Sequence, residues 1–426
     1  MGNAVGEYAG GHDSFTRTAV ANAGSGARRF FHALACLAAV IPCAGLSGCF
    51  LFFDPLAECG PDPAEWIRAL AEPGASDFGR TIAQASNGDF LVGGFTSIGD
   101  SAYDVLLVRT DTAGNPKWRR VFGSDGESER AVRVAIAPDR DILVLATIGH
   151  AYDTFQQADY YLIRTDPSGE ARWERRFGGD YNDVAADMLL TGDGPLVLGT
   201  ADLAGDGNFD MQLVQLDQDG NALWSAAYGG DGNERAIGLA PSGDGGFALL
   251  GESASAGVGD PELVLVAVDA SGDQRWSQSY GAIGERDVRA IQPVPGGGYM
   301  VAGHERNTPY LLKLDASGAV AWERRLRVDL FRTVEAVAAA PDGGFMLTGM
   351  NAGFCGSTAH LTRTDAQGNV RWTRNYAPLF GLAGGHGVIT AHDGGWVLAG
   401  DSSEYLLEGG QEQTVLYLVK VNADGY

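Results

Sequence analysis

An all-β fold is what this sequence predicts, and three observations carry the prediction. Among 426 residues there are 62 glycines and 16 prolines, with no apolar stretch of helical period beyond the N-terminal region. Short β-rich runs such as "DVLLVRT" and "DYYLIRT" alternate with turn signatures. Seven of the eight tryptophans recur 46 to 55 residues apart: Trp66, Trp118, Trp173, Trp224, Trp276, Trp322 and Trp372. Self-similarity at such a period marks stacked or radial repeats, and the architecture read here is a seven-bladed β-propeller with four antiparallel strands per blade.

Each element of the repeat has its own reason. Six of the tryptophans close the run D-x-x-G-x-x-x-W, as in "DPSGEARW" and "DASGAVAW". Asp first and Gly fourth is the pattern of a type I turn ending in a left-handed residue, which glycine adopts without steric cost. A second tight turn lies about two dozen residues earlier, in "PDGGF" and "HDGGW". It joins an Ala-rich strand to an apolar one. Four strands, A to D, result. Small residues on strand A suit the crowded axis, and tryptophan on strand D suits the wide rim, packed between blades. The segment "EWIRAL" at 65–70 is an orphan strand D, while the last repeat supplies A, B and C. Pairing 65–70 with 415–421 closes the ring and removes the open edges.

The N-terminal region reads as a leader. Arg28 and Arg29 precede the apolar run "FFHALACLAAVIPCAG", which is of signal-peptide length and too short to span a membrane. The run ends in "LSGC", which resembles the lipobox of bacterial lipoproteins. That resemblance implies cleavage before Cys49 and lipidation of Cys49. A general secretory signal with an incidental cysteine is the other reading. "RRFF" also resembles a twin-arginine signal, and Val20 is an alternative start. The organisation expected is a signal peptide at 1–48, a lipid-anchored tether at 49–63 and the propeller at 64–426. Phe50 after the anchor favours, by the family's pattern, the outer membrane; the propeller would then lie in the periplasm or at the cell surface.

The repeats resemble a bacterial family named for its seven-bladed propeller repeat. The run "WSAAYGGDGNERAIGLAPSGDGGFALLG", Trp224 to Gly251, carries the shared features: an aromatic-Gly-Gly segment, an acidic pair and a DGG-aromatic turn. The likeness covers 64–426 and implies the fold, not an activity. The D-x-[ST]-G-x-x-x-W run also resembles the tryptophan-docking repeat of quinone-dependent dehydrogenases. The same repeat occurs in a non-enzymatic outer-membrane assembly lipoprotein.

Charge narrows the partners. The chain carries 54 acids against 30 bases; without residues 1–48 the balance is 52 to 27, a net of −25. Nucleic acid and anionic headgroups are poor partners for such a surface, and cations or basic proteins better ones. Because strand direction alternates, A–B and C–D turns share one face and D–A and B–C loops the other. The first set is short throughout. The second is long and variable, which is where binding is usually built. Just before strand A, blades 1–4 carry Asp77, Glu129, Asp183 and Glu234, where blades 5–7 have Arg286, Arg332 and Ala383. At the start of strand C, blades 1–4 carry Asp104, Asp159, Asp210 and Glu262, where blades 5–7 have Thr308, Thr358 and Val415. Two strands apart within a blade is about 10 Å. That spacing spreads a negative potential without letting two carboxylates share an ion; alternatively, these acids tie down loop ends.

Other chemistry is sparse. Asp206, Asn208 and Asp210 in "DGNFD" offer alternating oxygens of the kind calcium takes, without a full ligand loop. His150, His304, His360, His386 and His392 show no paired metal spacing and read as ordinary surface or loop residues. No nucleophile elbow or Cys–His pairing stands out. A Cys59–Cys355 disulfide suits an oxidising compartment, yet places the two cysteines on opposite faces; its existence stays open. The function expected is a non-catalytic binding or scaffold propeller of the cell envelope, holding a protein or glycan, with a cationic one the better match, and needing no cofactor. The alternative is a redox enzyme with quinone and calcium at the axis, against which stand seven blades rather than eight and the lack of an adjacent cysteine pair.

Overall fold

Each period of the repeat folds as one four-stranded antiparallel sheet, ordered A-B-C-D from the axis outward. The computed structural model describes residues 62–426, apart from 99–101, 125, 151–155, 256–259, 328–330, 354–355, 377–381 and 406–411. Cys49, Cys59 and Cys355 lie outside the described residues, as does the whole leader. Blade 1 is Ala75–Gln84, Phe90–Ile98, Asp104–Thr110 and Pro116–Phe122. Blades 2 to 6 repeat that order. Blade 7 takes Ala383–Thr390, Trp396–Tyr405 and Glu412–Val421 from the last repeat, and Trp66–Leu70 from the first. Trp66 lies opposite Lys420 and Leu70 opposite Leu416, so the ring closes in the register expected. The chain is thus a seven-bladed β-propeller, with no helix among the described residues.

Strand A is not regular. In six blades it carries a β-bulge at the same place, between Gly79 and Thr81 in blade 1 and between Ala236 and Gly238 in blade 4. In blade 6 the strand is broken there into Phe331–Arg332 and Ala336–Ala339, both paired with Phe345–Gly353. A bulge bends the strand and raises its twist, which the innermost strand of a propeller needs. Strand B answers with glycine: a β-carbon at Gly251 would sit 2.7 Å from the Arg235 carbonyl of strand A.

Strands B and C are the core, nearly every apolar residue being buried on both faces. Among the described residues the buried apolar side chains fall into seven clusters, one at each blade junction. One rim tryptophan packs on each. Trp118, for instance, covers the junction of blades 1 and 2 and Trp66 that of blades 7 and 1. Stability therefore resides between blades as much as within them.

The D-x-x-G turns have the expected form. Asp111 Oδ1 accepts the N–H groups of Ala113 and Asn115, at 2.9 and 2.8 Å, and Gly114 has φ 76°. In blade 5 the Ser317 hydroxyl and then the Ala319 N–H hold Asp315 below the usual carboxylate range. The seventh copy uses Asn422, whose Oδ1 accepts the N–H of Asp424 at 3.0 Å.

Candidate binding face

The long-loop face is built on the bulges. Two residues before each bulge stand Asp77, Glu129, Asp183, Glu234, Arg286 and Ala383, with Arg332 at the corresponding place in the broken strand of blade 6. Each is opposite a strand B residue that is in turn opposite the strand C residue. In blade 1, Asp77 pairs with Thr96 and Thr96 with Asp104; in blade 4, Glu234 pairs with Ser253 and Ser253 with Glu262. The same relation links Glu129 to Asp159, Asp183 to Asp210, Arg286 to Thr308, Arg332 to Thr358 and Ala383 to Val415. The aligned residues thus occupy equivalent places, inside strand A rather than ahead of it.

Their electrostatics differ from the expectation of a spread-out ring. The strand A acids Asp77, Glu129, Asp183 and Glu234 are all buried. The strand C carboxylate of one blade meets the strand A carboxylate of the next: Gly178 lies against both Asp159 and Asp183, and Gly229 against both Asp210 and Glu234. The close contact is across a junction, not two strands away. The reason is geometric: strand A of each blade leans on its predecessor, and the D–A loop folds its glycines over the meeting point. There the acid binds the loop. Asp183 Oδ2 accepts the Gly179 N–H at 2.5 Å, Glu234 Oε2 the Gly230 N–H at 3.0 Å, and Glu129 Oε1 the Ser124 hydroxyl at 2.7 Å.

Crowded carboxylates titrate late. Burial, and then the charges of Asp159 and Asp202, push Asp183 up to about 6 against the pull of the Gly179 N–H. Burial and then the charges of Asp104 and Glu127 raise Glu129, while burial and then Glu234 raise Asp210. At the junction of blades 7 and 1 the strand C residue is Val415, and Asp77 takes a cation from its own blade instead, Arg119 Nη2 at 2.8 Å. Arg286 donates to the Ile283 carbonyl at 3.1 Å and to the Tyr310 hydroxyl at 3.2 Å. Arg332, buried, reaches Asn375 Oδ1 at 3.3 Å. Glu262 accepts from the Ser279 hydroxyl.

The residues of the incomplete calcium set have partners within the protein. Asp206 Oδ1 accepts the Asn208 N–H at 3.0 Å, Asn208 Nδ2 donates to the Gly230 carbonyl at 3.2 Å, and Asp210 turns to Glu234. Among the described residues no group of three His, Cys, Asp or Glu side chains is placed to hold a metal ion.

Three histidines were misplaced by sequence. His360 is wholly buried in strand C of blade 6, its Nε2 2.8 Å from the Thr333 carbonyl, and burial holds it down near 4. His386 is the extra residue of its bulge, with Nε2 2.8 Å from Asp401 Oδ1. His304 lies on strand B of blade 5, 3.8 Å from Asp287. His392, in a tight turn, matches the surface reading.

Sequence reasoning also missed a row of ion pairs. Arg80 lies 3.3 Å from Asp401, Arg133 2.7 Å from Asp187 and Arg289 2.5 Å from Asp287. Arg80, His386 and Arg289 fill bulge positions, a signal readable once the bulge is known. Beside Arg235 and Arg289 a cavity of about 230 Å³ opens between strands A of blades 3, 4 and 5, floored by Ala185, Ala186 and Ala236. A larger, open groove of about 460 Å³ lies on the opposite, tight-turn face between blades 4 and 5. It forms where blade 5 replaces the aspartate turn with Gly296–Gly298, all at positive φ.

No family model matches this chain. A stretch of 172 residues, 35% of the chain, is 25% identical to the regulatory protein FlaEY of Caulobacter vibrioides, and spans 18% of that protein. Among solved structures, puromycin hydrolase aligns with a TM-score of 0.47 and 16% identity, over 82% of this chain and 57% of that one. Sqt1 from Chaetomium thermophilum aligns with a TM-score of 0.47 and 13% identity, over 82% and 97%. The chain therefore covers less than two thirds of FlaEY and of puromycin hydrolase.

Proposed function

We propose that this propeller is a lipid-anchored, non-catalytic binding or scaffold protein of the cell envelope, holding a protein or glycan on its long-loop face. The observation that carries the reading is the contrast between the two faces. On the tight-turn side, blade after blade repeats the same aspartate-and-glycine turn and docks it on the same tryptophan. On the other side each junction carries its own loops and its own charge pattern, on strands fixed by register. Variation on a rigid frame is the arrangement of a recognition surface. Cys49 would be the anchor, and the short tether would keep the partner close to the membrane. The outer membrane is the location favoured. No cofactor is required, and nucleic acid is no partner for so acidic a chain.

The test is native mass spectrometry of the full-length protein extracted from its own membranes, beside Cys49→Ser. A mass matching residues 49–426 plus acyl chains, lost to the soluble fraction in the variant, supports the reading. A bound organic cofactor or stoichiometric calcium would overturn it in favour of redox chemistry at the axis. The same spectrum reports, by two protons, whether Cys59 and Cys355 are bonded.

A further inference from the structure

Blade 3 is electrostatically unlike the rest. Between Gly178 and Glu234 there are eleven aspartates and glutamates and no lysine, arginine or histidine. On the long-loop side this stretch forms three loops stitched together. The B–C loop of blade 3, 202–209, is joined to the preceding D–A loop by the Asp202 N–H on the Asn182 carbonyl at 2.9 Å. It is joined to the following D–A loop by Asn208 Nδ2 on Gly230 and by the Phe209 N–H on Asn233 Oδ1, at 3.2 and 2.9 Å. Buried Asp202 shapes the loop from within, accepting the N–H of Gly205 at 2.7 Å and of Gly207 at 3.2 Å.

An apolar pair stands on this surface. The Tyr181 ring lies against Gly205, on the space a β-carbon would fill, and remains 45% exposed. Leu203, in the same loop, is 47% exposed. Asp180, Asp206 and Asp231 are exposed on the three loops. The nearest arginines in sequence are occupied: Arg176 by Asp159 and Glu127, Arg235 by Glu252. An aromatic held in place by a neighbouring loop binds at small entropic cost, and a surrounding field of one sign selects the partner.

We propose that the three loops around Tyr181 and Leu203 are the docking site for a cationic peptide segment of a partner protein, its apolar side chain seated on Tyr181 and Leu203 and its lysines or arginines facing Asp180, Asp206 and Asp231. The proposal rests on the long-loop face being the binding face. Complementary charge chooses the occupant, since an anionic lipid or nucleic acid would be repelled.

The probe is a short dye-labelled peptide of repeating Arg-Leu-Ser carrying a photo-crosslinker, titrated against the full chain by fluorescence anisotropy. Binding should weaken as salt rises. Tyr181→Ala, and the pair Asp206→Asn with Asp231→Asn, should each weaken it about tenfold, or roughly 1.4 kcal/mol. An Arg-Ser-Ser peptide should lose as much. The pair Asp193→Asn with Asp219→Asn, on the tight-turn face, should leave affinity within about twofold. Crosslinks should fall in 178–182, 202–209 or 229–233. Crosslinks confined to the long loops of other blades overturn this site and leave the long-loop reading standing. Crosslinks on the tight-turn face overturn both. Absence of binding, or equal losses in the two aspartate pairs, overturns the site.

Discussion

Trp372 of blade 6 lies against Gly425 in the turn of blade 7: a β-carbon on that glycine would come 2.9 Å from Trp372 Cη2. The Tyr376 hydroxyl, four residues further along the same strand, donates to the Gly425 carbonyl at 2.9 Å. The same docking joins Trp66 to Gly114, Trp118 to Gly169, Trp173 to Gly220, Trp224 to Gly272, Trp276 to Gly318 and Trp322 to Gly368. The turn and the tryptophan of one repeat thus serve different junctions, and every blade holds its successor.

The turn glycine therefore answers two demands, a left-handed backbone and a missing side chain, and substitution separates them. Gly220→Ala should cost about 2–4 kcal/mol, the strain of φ 80° plus a clash with Trp173 and Arg175. Gly343→Ala has φ 81° but only Ala366 nearby, at 3.5 Å, and should cost about 1 kcal/mol. Urea unfolding of the two variants checks this. Equal losses would mean that the tryptophan yields, and docking contributes little.

Tyr376→Phe should cost about 1–2 kcal/mol, because it strands a buried carbonyl acceptor. The equivalent hydroxyl of Tyr228 reaches Gly272 and that of Tyr280 reaches Gly318, so the same change at either should act alike. Blades 1 and 2 carry Phe122 and Phe177 at this place. A loss below a few tenths of a kcal/mol in all three tyrosine variants, read from thermal and urea unfolding, would assign the bond no stabilising role.

Ion pairs of similar length should differ in worth according to what remains after one partner is removed. Arg119→Met leaves Asp77, 3% exposed, without its guanidinium, and should cost about 3 kcal/mol or more. Lys420→Met leaves Glu65 and Asp393, whose side chains are 42% and 62% exposed and can turn to water, so about 1 kcal/mol is expected. Urea midpoints of both variants decide it; the reverse order would show that closing strand D onto blade 7 depends on Lys420.

The blades, their strands and the closing register were legible because the turn's aspartate and glycine, and the tryptophan that packs between blades, recur at a fixed spacing. What was not legible lies across junctions. Nothing in the spacing of Asp159 and Asp183 says that they gather around Gly178, since that depends on how one sheet leans on the next. The cation stacked on the rim was missed for a smaller reason: Arg120 and Arg175 follow their tryptophans by two residues and so share their face, at 5.6 and 5.3 Å from the ring centres. His360 escaped because burial on both faces of strand C leaves no alternation to show that the residue is inside.

Asp183 and His360 should pull the pH dependence of stability in opposite directions through one window. Asp183 titrates near 6 in the fold and near 4 unfolded, so between these values the folded chain binds the extra proton. Stability from this group is present below about 4, falls as pH rises towards 6, and is flat above. His360 titrates near 4 in the fold and near 6.5 unfolded, so here the unfolded chain binds the extra proton. Its contribution is complete above about 6.5 and is lost as pH falls towards 4. With shifts of similar size, on the order of 3 kcal/mol each, the two nearly cancel in the parent protein. Asp183→Asn should then lose stability steadily from pH 6.5 to pH 4, while His360→Gln, lower overall for its altered packing, should gain stability over the same interval. Urea midpoints taken across that range read both slopes, and parallel curves for the two variants would show that these groups do not set the profile.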